Sequence, residues 1–167
     1  LYCHHLTLLA ENQGGYANLC RLISLGQLAG QKGQPRLTLE TLSRHARGLL
    51  CLSGGRKGAV TSALLAHDEA GACTAAGHLR EIFGSHRFWI ELQRHYLPMD
   101  TGLVAERVAL AHRLGVGYVA TNNVHYAQRA GQRLHDVLTS IRHHMTLPEA
   151  LAGGLLHPNS ELFLKSS

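Results

Sequence analysis

The order of apolar runs and turn residues predicts an α/β fold in which parallel strands alternate with helices, as an open sheet or a barrel. Three observations carry this. Short apolar runs recur at residues 49–53 (LLCLS), 88–93 (FWIELQ) and 118–121 (YVAT), each of strand length and bounded by glycines or polar residues. Between them lie stretches with apolar residues three and four apart, the helical period. Asn122, Asn123 and His125 follow directly on the last run, where parallel α/β folds place their chemistry.

Residues 1–10 carry no initiator methionine and no capped element before the run HHLTLLA. This predicts a strand entered near its start, in a chain that begins inside a domain. After a polar turn at 11–15, Gly14 and Gly15 allow a tight start to a helix with apolar positions Leu19, Leu22, Ile23 and Leu28, broken at 30–35. Thr38 is the expected N-cap of a short helix containing Thr41 and Leu42, closed by Gly48. The strand at 49–53 then runs into Gly54, Gly55, Arg56, Lys57 and Gly58. Two adjacent cations in a glycine-rich turn suit a phosphate, but without Walker spacing plain turn chemistry is the simpler reading.

Helices are expected at 60–66 and 69–83, separated by His67 and Asp68, the second ended by Gly84. In the strand at 88–93, Phe88, Ile90 and Leu92 alternate with Trp89, Glu91 and Gln93. Glu91 is expected to be partly exposed or paired with Arg94. Asp100 or Thr101 caps a helix through Leu114, with Val104, Val108 and Ala111 on its apolar stripe and Gly115 as its stop. Beyond the buried strand at 118–121, Leu134, Val137, Leu138 and Ile141 mark another amphipathic helix. Residues 146–151 form one more short helix, and 157–167 a loop and a stub.

With 167 residues, 45% of them apolar, the chain suits one domain with a real core. A formal charge of +5, from 16 basic and 11 acidic residues never clustered beyond two cations, is compatible with nucleic acid nearby without demonstrating it. Cys3, Cys20, Cys51 and Cys73 fit neither a metal knuckle nor a secreted disulfide framework and read as reduced, mostly buried thiols. No stretch approaches the ~20 apolar residues of a membrane span, nor is there a signal-peptide pattern. A cytoplasmic protein without membrane partners is therefore expected. Among thirteen histidines, His45, His67, His78, His86, His112, His143 and His144 read as surface or half-buried imidazoles.

Four stretches taken in order resemble the PHP (polymerase and histidinol phosphatase) domain of bacterial family C DNA polymerases, the DNA polymerase III alpha subunit family. They are HLTLLA at 5–10 with GYANL at 15–19, LLCLSGGRKG at 49–58, WIELQRH at 89–95, and VATNNVHY at 119–126 with LHDVLTSIR at 134–142. The wording HLTLLAENQGGYANLCRLIS, IELQRH and HDVLTSIR is most similar to the error-prone branch, used in damage-tolerant DNA synthesis and repair.

The resemblance implies a distorted (β/α)7 barrel that holds up to three metals, Zn2+ or Mn2+ in intact relatives, through nine His, Asp, Glu and Cys ligands. It places His5 at one ligand histidine and His125 at the histidine of the TND-x-HY motif. Asn123 occupies that motif's aspartate position, and Gly55 stands where metal-binding members have cysteine. The metal positions are thus His5, His125 and Asn123, in a site expected to be degenerate, with no catalytic residue in this chain. The resemblance also implies that residues 1–167 are one PHP-type domain incomplete at its N-terminus, the family's opening H-x-H motif belonging before Leu1. The Mg2+-dependent polymerase palm, the fingers, the helix-hairpin-helix motif and the clamp-binding segment would follow in the parent. Its implied partners are DNA, the sliding clamp and other damage-tolerance subunits.

Three functions compete. The first is a scaffold domain of an error-prone polymerase, itself without a bound cofactor. A free-standing metal-dependent phosphoesterase of the same superfamily is the second, opposed by HDVLTSIR and IELQRH. A plain nucleic-acid-binding module is the third, favoured only by net charge.

Overall fold

The structure, a computed structural model, describes residues 4–166. Cys3 lies outside the described residues. The chain divides into two compact units, Leu1–Leu92 with Gly102–Ala120, and Gln93–Thr101 with Thr121–Ser167.

The first unit contains strands β1 (Thr7–Ala10), β2 (Leu49–Leu52), β3 (Phe88–Leu92) and β4 (Gly117–Ala120), in spatial order β1-β2-β3-β4. Its helices are α1 (Gln13–Ala29), α2 (Leu39–Arg44), α3 (Ala59–Leu65), α4 (Glu69–Phe83) and nearly all of α5 (Asp100–Leu114). The α/β class holds, but the sheet is mixed. β2, β3 and β4 are parallel, whereas β1 pairs antiparallel with β2 from Thr7 opposite Leu52 to Ala10 opposite Leu49.

The orientation of β1, expected to be parallel, is set where the chain leaves it. The Glu11 amide donates to the Gly48 carbonyl (3.0 Å), and a Cβ on Gly15 would lie 1.8 Å from that same oxygen. Two glycines thus let the start of α1 press against the turn that enters β2. The exit of β1 therefore meets the entrance of β2, which is antiparallel pairing. Gly48 itself has φ +76°, a conformation that favours glycine.

Local signals place most helix ends. Asn12 caps α1 by accepting from the Gly15 amide, Thr38 caps α2 through Thr41, and Asp68 caps α4 through Gly71. Gly84 (φ +76°) and Gly115 (φ +62°) follow α4 and α5. The core is built from Leu22, Leu49, Cys51, Val60, Leu79, Phe83, Phe88, Ile90, Leu110 and Ala111. Burial pushes the Cys51 thiol up to about 12. Of the described cysteines Cys51 is buried, Cys73 half-buried and Cys20 exposed, so they are less buried than expected as a set.

Burial differs from the pattern reading in several places. Ile23 and Leu28 on α1 face solvent, while Leu22 and Gly26 are buried. On α5 the buried stripe is Leu103, Arg107, Leu110 and Ala111, displaced by about one residue from the expected one because it includes a fully buried arginine. The Arg107 guanidinium donates to the Glu91 carbonyl (3.3 Å), and Glu91 is buried rather than partly exposed, at 5%. Its amide donates to the Ser53 hydroxyl (3.0 Å). β4 is only half-buried, with Tyr118 exposed, since it borders the described sheet on one side only.

The second unit contains a 3₁₀ turn (Arg129–Gly131), α6 (Gln132–Arg142) and α7 (Leu147–Ala152). Thr146 and Glu149 form a reciprocal capping box at the start of α7. The apolar stripe of α6 is turned to solvent, with Leu134 65% and Ile141 63% exposed. Its inward face is polar: His135, Asp136 and Thr139 are half-buried and Ser140 is buried.

Candidate functional site

The segments of the second unit begin at Gln93 and Thr121, the residues that follow β3 and β4. Asn122 holds this unit together. Its side-chain amide donates to the carbonyls of Glu161 (2.8 Å) and Phe163 (2.7 Å), and its own carbonyl lies 3.1 Å from His95 Nε2. Asp100 Oδ2 accepts from the His95 amide (2.7 Å) and the Leu97 amide (3.1 Å), and Asn159 donates to the His95 carbonyl (2.6 Å). A parallel bridge between Tyr126 and Phe163 and a bond from the His125 amide to the Leu162 carbonyl (2.8 Å) complete the frame.

This frame gathers His125, His135 and His157, with one ring nitrogen of each within 4.8 Å of the others. The ring centroids lie 5.1 Å apart for His125 with His135, 5.1 Å for His125 with His157 and 5.3 Å for His135 with His157. His125 comes from the loop after β4, His135 from α6, and His157 from the loop after α7. Asp136 Oδ1 is 3.7 Å from His135 Nδ1, and Gln132 Nε2 donates to the His157 carbonyl (3.2 Å). The Tyr126 ring is 5.9 Å from that of His135, and its hydroxyl is buried without a hydrogen bond.

Two of the three rings, His125 and His157, are favoured in the neutral form. Partial burial, then the neighbouring His135 and His95, hold His125 below the usual imidazole range. Burial and then His125 and His135 do the same to His157, against a weaker opposing pull from Asp136. Burial pushes the Tyr126 phenol up. Nearby, burial would raise the Glu161 carboxyl, but Lys165 and Arg129 bind it and hold it low.

The positions expected from the family fall in two groups. His5, exposed in the first unit, donates its amide to the Lys57 carbonyl (2.9 Å), and a Cβ on Gly54 would sit 2.4 Å from the His5 carbonyl oxygen. His5 and the turn containing Gly55 are therefore together. Asn123 and His125 belong to the second unit. Asn123 is exposed with φ +45°, a left-handed conformation that asparagine tolerates. As a donor set, His5, Asn123 and His125 supply no charge, and Gly55 supplies no side chain. Within this chain that set lacks the anionic oxygen ligands that hard cations of phosphoesterase sites rely on, and two imidazoles fall short of the three protein ligands of a catalytic zinc.

His135 and His157 had no expected role. Separations of 10 and 22 residues along the chain match no ligand motif, and only the high histidine count hinted at a cluster. The glycine-rich turn at 54–58 leads into α3, where Gly58 takes the cap position and forms no side-chain bond.

Residues 2–95 match the PHP domain family. The chain belongs to that family. This PHP domain is similar to the DNA polymerase III subunit alpha of Thermus aquaticus, 40% identical over 148 residues, covering 87% of this chain and 12% of that protein. It is similar to the error-prone DNA polymerase of Mycolicibacterium paratuberculosis, 39% identical over 164 residues, covering 97% of this chain and 15% of that protein. The error-prone DNA polymerase of Pseudomonas syringae pv. syringae is 38% identical over 164 residues, 96% of this chain and 14% of that protein. The PHP domain described here is thus of the family C polymerase kind and spans a small part of such relatives.

Proposed function

We propose that this chain is part of the PHP domain of an error-prone, DNA-directed DNA polymerase and serves it as a scaffold, with a degenerate family metal site in which Asn123 and Gly55 stand at two ligand positions. The observation that supports the branch is coverage: error-prone polymerases align over 96% and 97% of this chain, replicative alpha subunits over 83% and 87%. Replacement of two family ligand positions by Asn123 and Gly55 supports the scaffold role, since it removes one anionic ligand and leaves no side chain at the other to hold the family's metals. In this reading the described strands belong to a distorted seven-stranded barrel. The parent copies DNA using Mg2+ in its own palm domain and engages the sliding clamp and other damage-tolerance subunits through segments outside this chain.

Two measurements test it. Read through on both sides, the open reading frame should continue into polymerase domains; an end within one more small domain would favour a free-standing phosphoesterase. The purified chain, supplied with Mn2+ or Zn2+, should not hydrolyse p-nitrophenyl phosphate. Metal-dependent turnover lost in Asn123→Ala would overturn the scaffold reading.

A further inference from the structure

We propose that His125, His135 and His157 form a binding site for one borderline transition-metal cation, zinc in the first place, with Asp136 orienting His135. The site shares only His125 with the family positions. Three imidazoles from three separate segments offer one nitrogen each within 4.8 Å of the others. Around a tetrahedral zinc with bonds of ~2.0–2.1 Å, such nitrogens stand about 3.4 Å apart. The gap is closed by ring rotation, because the backbones are already held by the bonds from His125 to Leu162 and from Gln132 to His157.

The second observation concerns α6. This helix turns its apolar stripe outward and its polar face, His135 and Asp136 included, inward. On that face His135 Nδ1 and Asp136 Oδ1 are both buried, 3.7 Å apart and without a hydrogen-bond partner. Leaving two such atoms unsatisfied is costly. A cation on His135 Nε2 would fix the ring's proton on Nδ1, facing the carboxylate 3.7 Å away, and the same ring rotation that closes the metal site would bring the two into a hydrogen bond, the usual outer-shell arrangement of a metal-bound histidine. The chemistry of the donors selects the cation. Three neutral nitrogens suit zinc, copper or nickel and offer little to magnesium or calcium, which take oxygen ligands. His125 is exposed, so the cation has access, and a fourth position remains for water.

The test titrates zinc into the chelator-stripped chain against a chromophoric competitor and repeats the titration with cobalt. One equivalent should bind, with the intense visible bands of tetrahedral cobalt. His135→Gln and His157→Gln should each weaken zinc at least ~10-fold and Asp136→Asn by ~10–100-fold, whereas His143→Gln, at an exposed residue with ordinary backbone, should not. Circular dichroism in chelator checks that each variant folds; if one does not, zinc-induced shifts of the three imidazole signals in the unmodified chain replace it. Absence of stoichiometric binding, unaltered affinity in a folded His157→Gln variant, or shifts confined to other histidines would overturn the proposal. Zinc lost in His5→Gln but kept in His157→Gln would place the cation at the family positions and overturn it equally.

Discussion

The contact between Gly15 and Gly48 makes one substitution change sign with position. Exchanging glycine for alanine inside a helix normally stabilises by about 0.5–1 kcal/mol, because glycine loses more backbone freedom on folding. Gly77 in α4 and Gly102 in α5 have nothing within 4 Å of an added Cβ, so Gly77→Ala should gain about that amount. Gly15→Ala starts from the same helical gain, but its Cβ would stand 1.8 Å from the Gly48 carbonyl oxygen and 2.6 Å from its carbon. Ordinary contact begins near 3.4 Å. The obstacle is backbone, and moving it disturbs the Glu11–Gly48 hydrogen bond and the register of β1 on β2. Overpacking of this kind costs about 1–3 kcal/mol, occasionally more, which outweighs the propensity gain. In thermal melts each kcal/mol is worth roughly 2–4 °C for a chain of this size. Gly77→Ala should therefore melt higher and Gly15→Ala lower than the unmodified chain. A Gly15→Ala variant as stable as Gly77→Ala would refute the close approach and with it the reason given for the antiparallel β1.

Phe88, fully buried on β3, should cost about 3–5 kcal/mol when cut to alanine, measured by urea denaturation; a loss below ~1 kcal/mol would mean the site collapses freely. Asp100→Ala removes the acceptor for the His95 and Leu97 amides and should cost about 1–3 kcal/mol, with faster amide exchange at both residues; unchanged protection there would contradict it. Acidification should destabilise the metal-free chain through His125 and His157, both held below the usual imidazole range. The unfolded chain takes up these protons first, so no stability is lost above an ordinary imidazole pKa of ~6.5, loss accrues as pH falls through the lowered folded values, and it is complete below them. The urea midpoint should fall over that window, and a His125→Asn, His157→Gln double variant should flatten the fall; equal slopes in both proteins would remove the cluster as its cause.

Local chemistry alone announced much of this chain. Thr38 and Asp68 place their helix starts because a side-chain oxygen satisfies an amide only a few residues away, and Gly84 and Gly115 end helices because they adopt left-handed backbone. The runs at 49–53, 88–93 and 118–121 became β2, β3 and β4 within a residue or so. Motifs such as HLTLLA and VATNNVHY named the family through residue order alone. What tertiary structure decided lies at long separation. β1 is antiparallel because Gly15 meets Gly48, 33 residues on. Glu91 is buried under a buried Arg107 that no apolar pattern would place in a core. The outward stripe of α6 has the same period as an inward one, and periodicity carries no information about which face meets the rest of the unit. The histidine cluster follows from that choice: His135 faces inward only because α6 is turned so, and His157 reaches it only because Asn122 and Gln132 hold the chain that returns from α7.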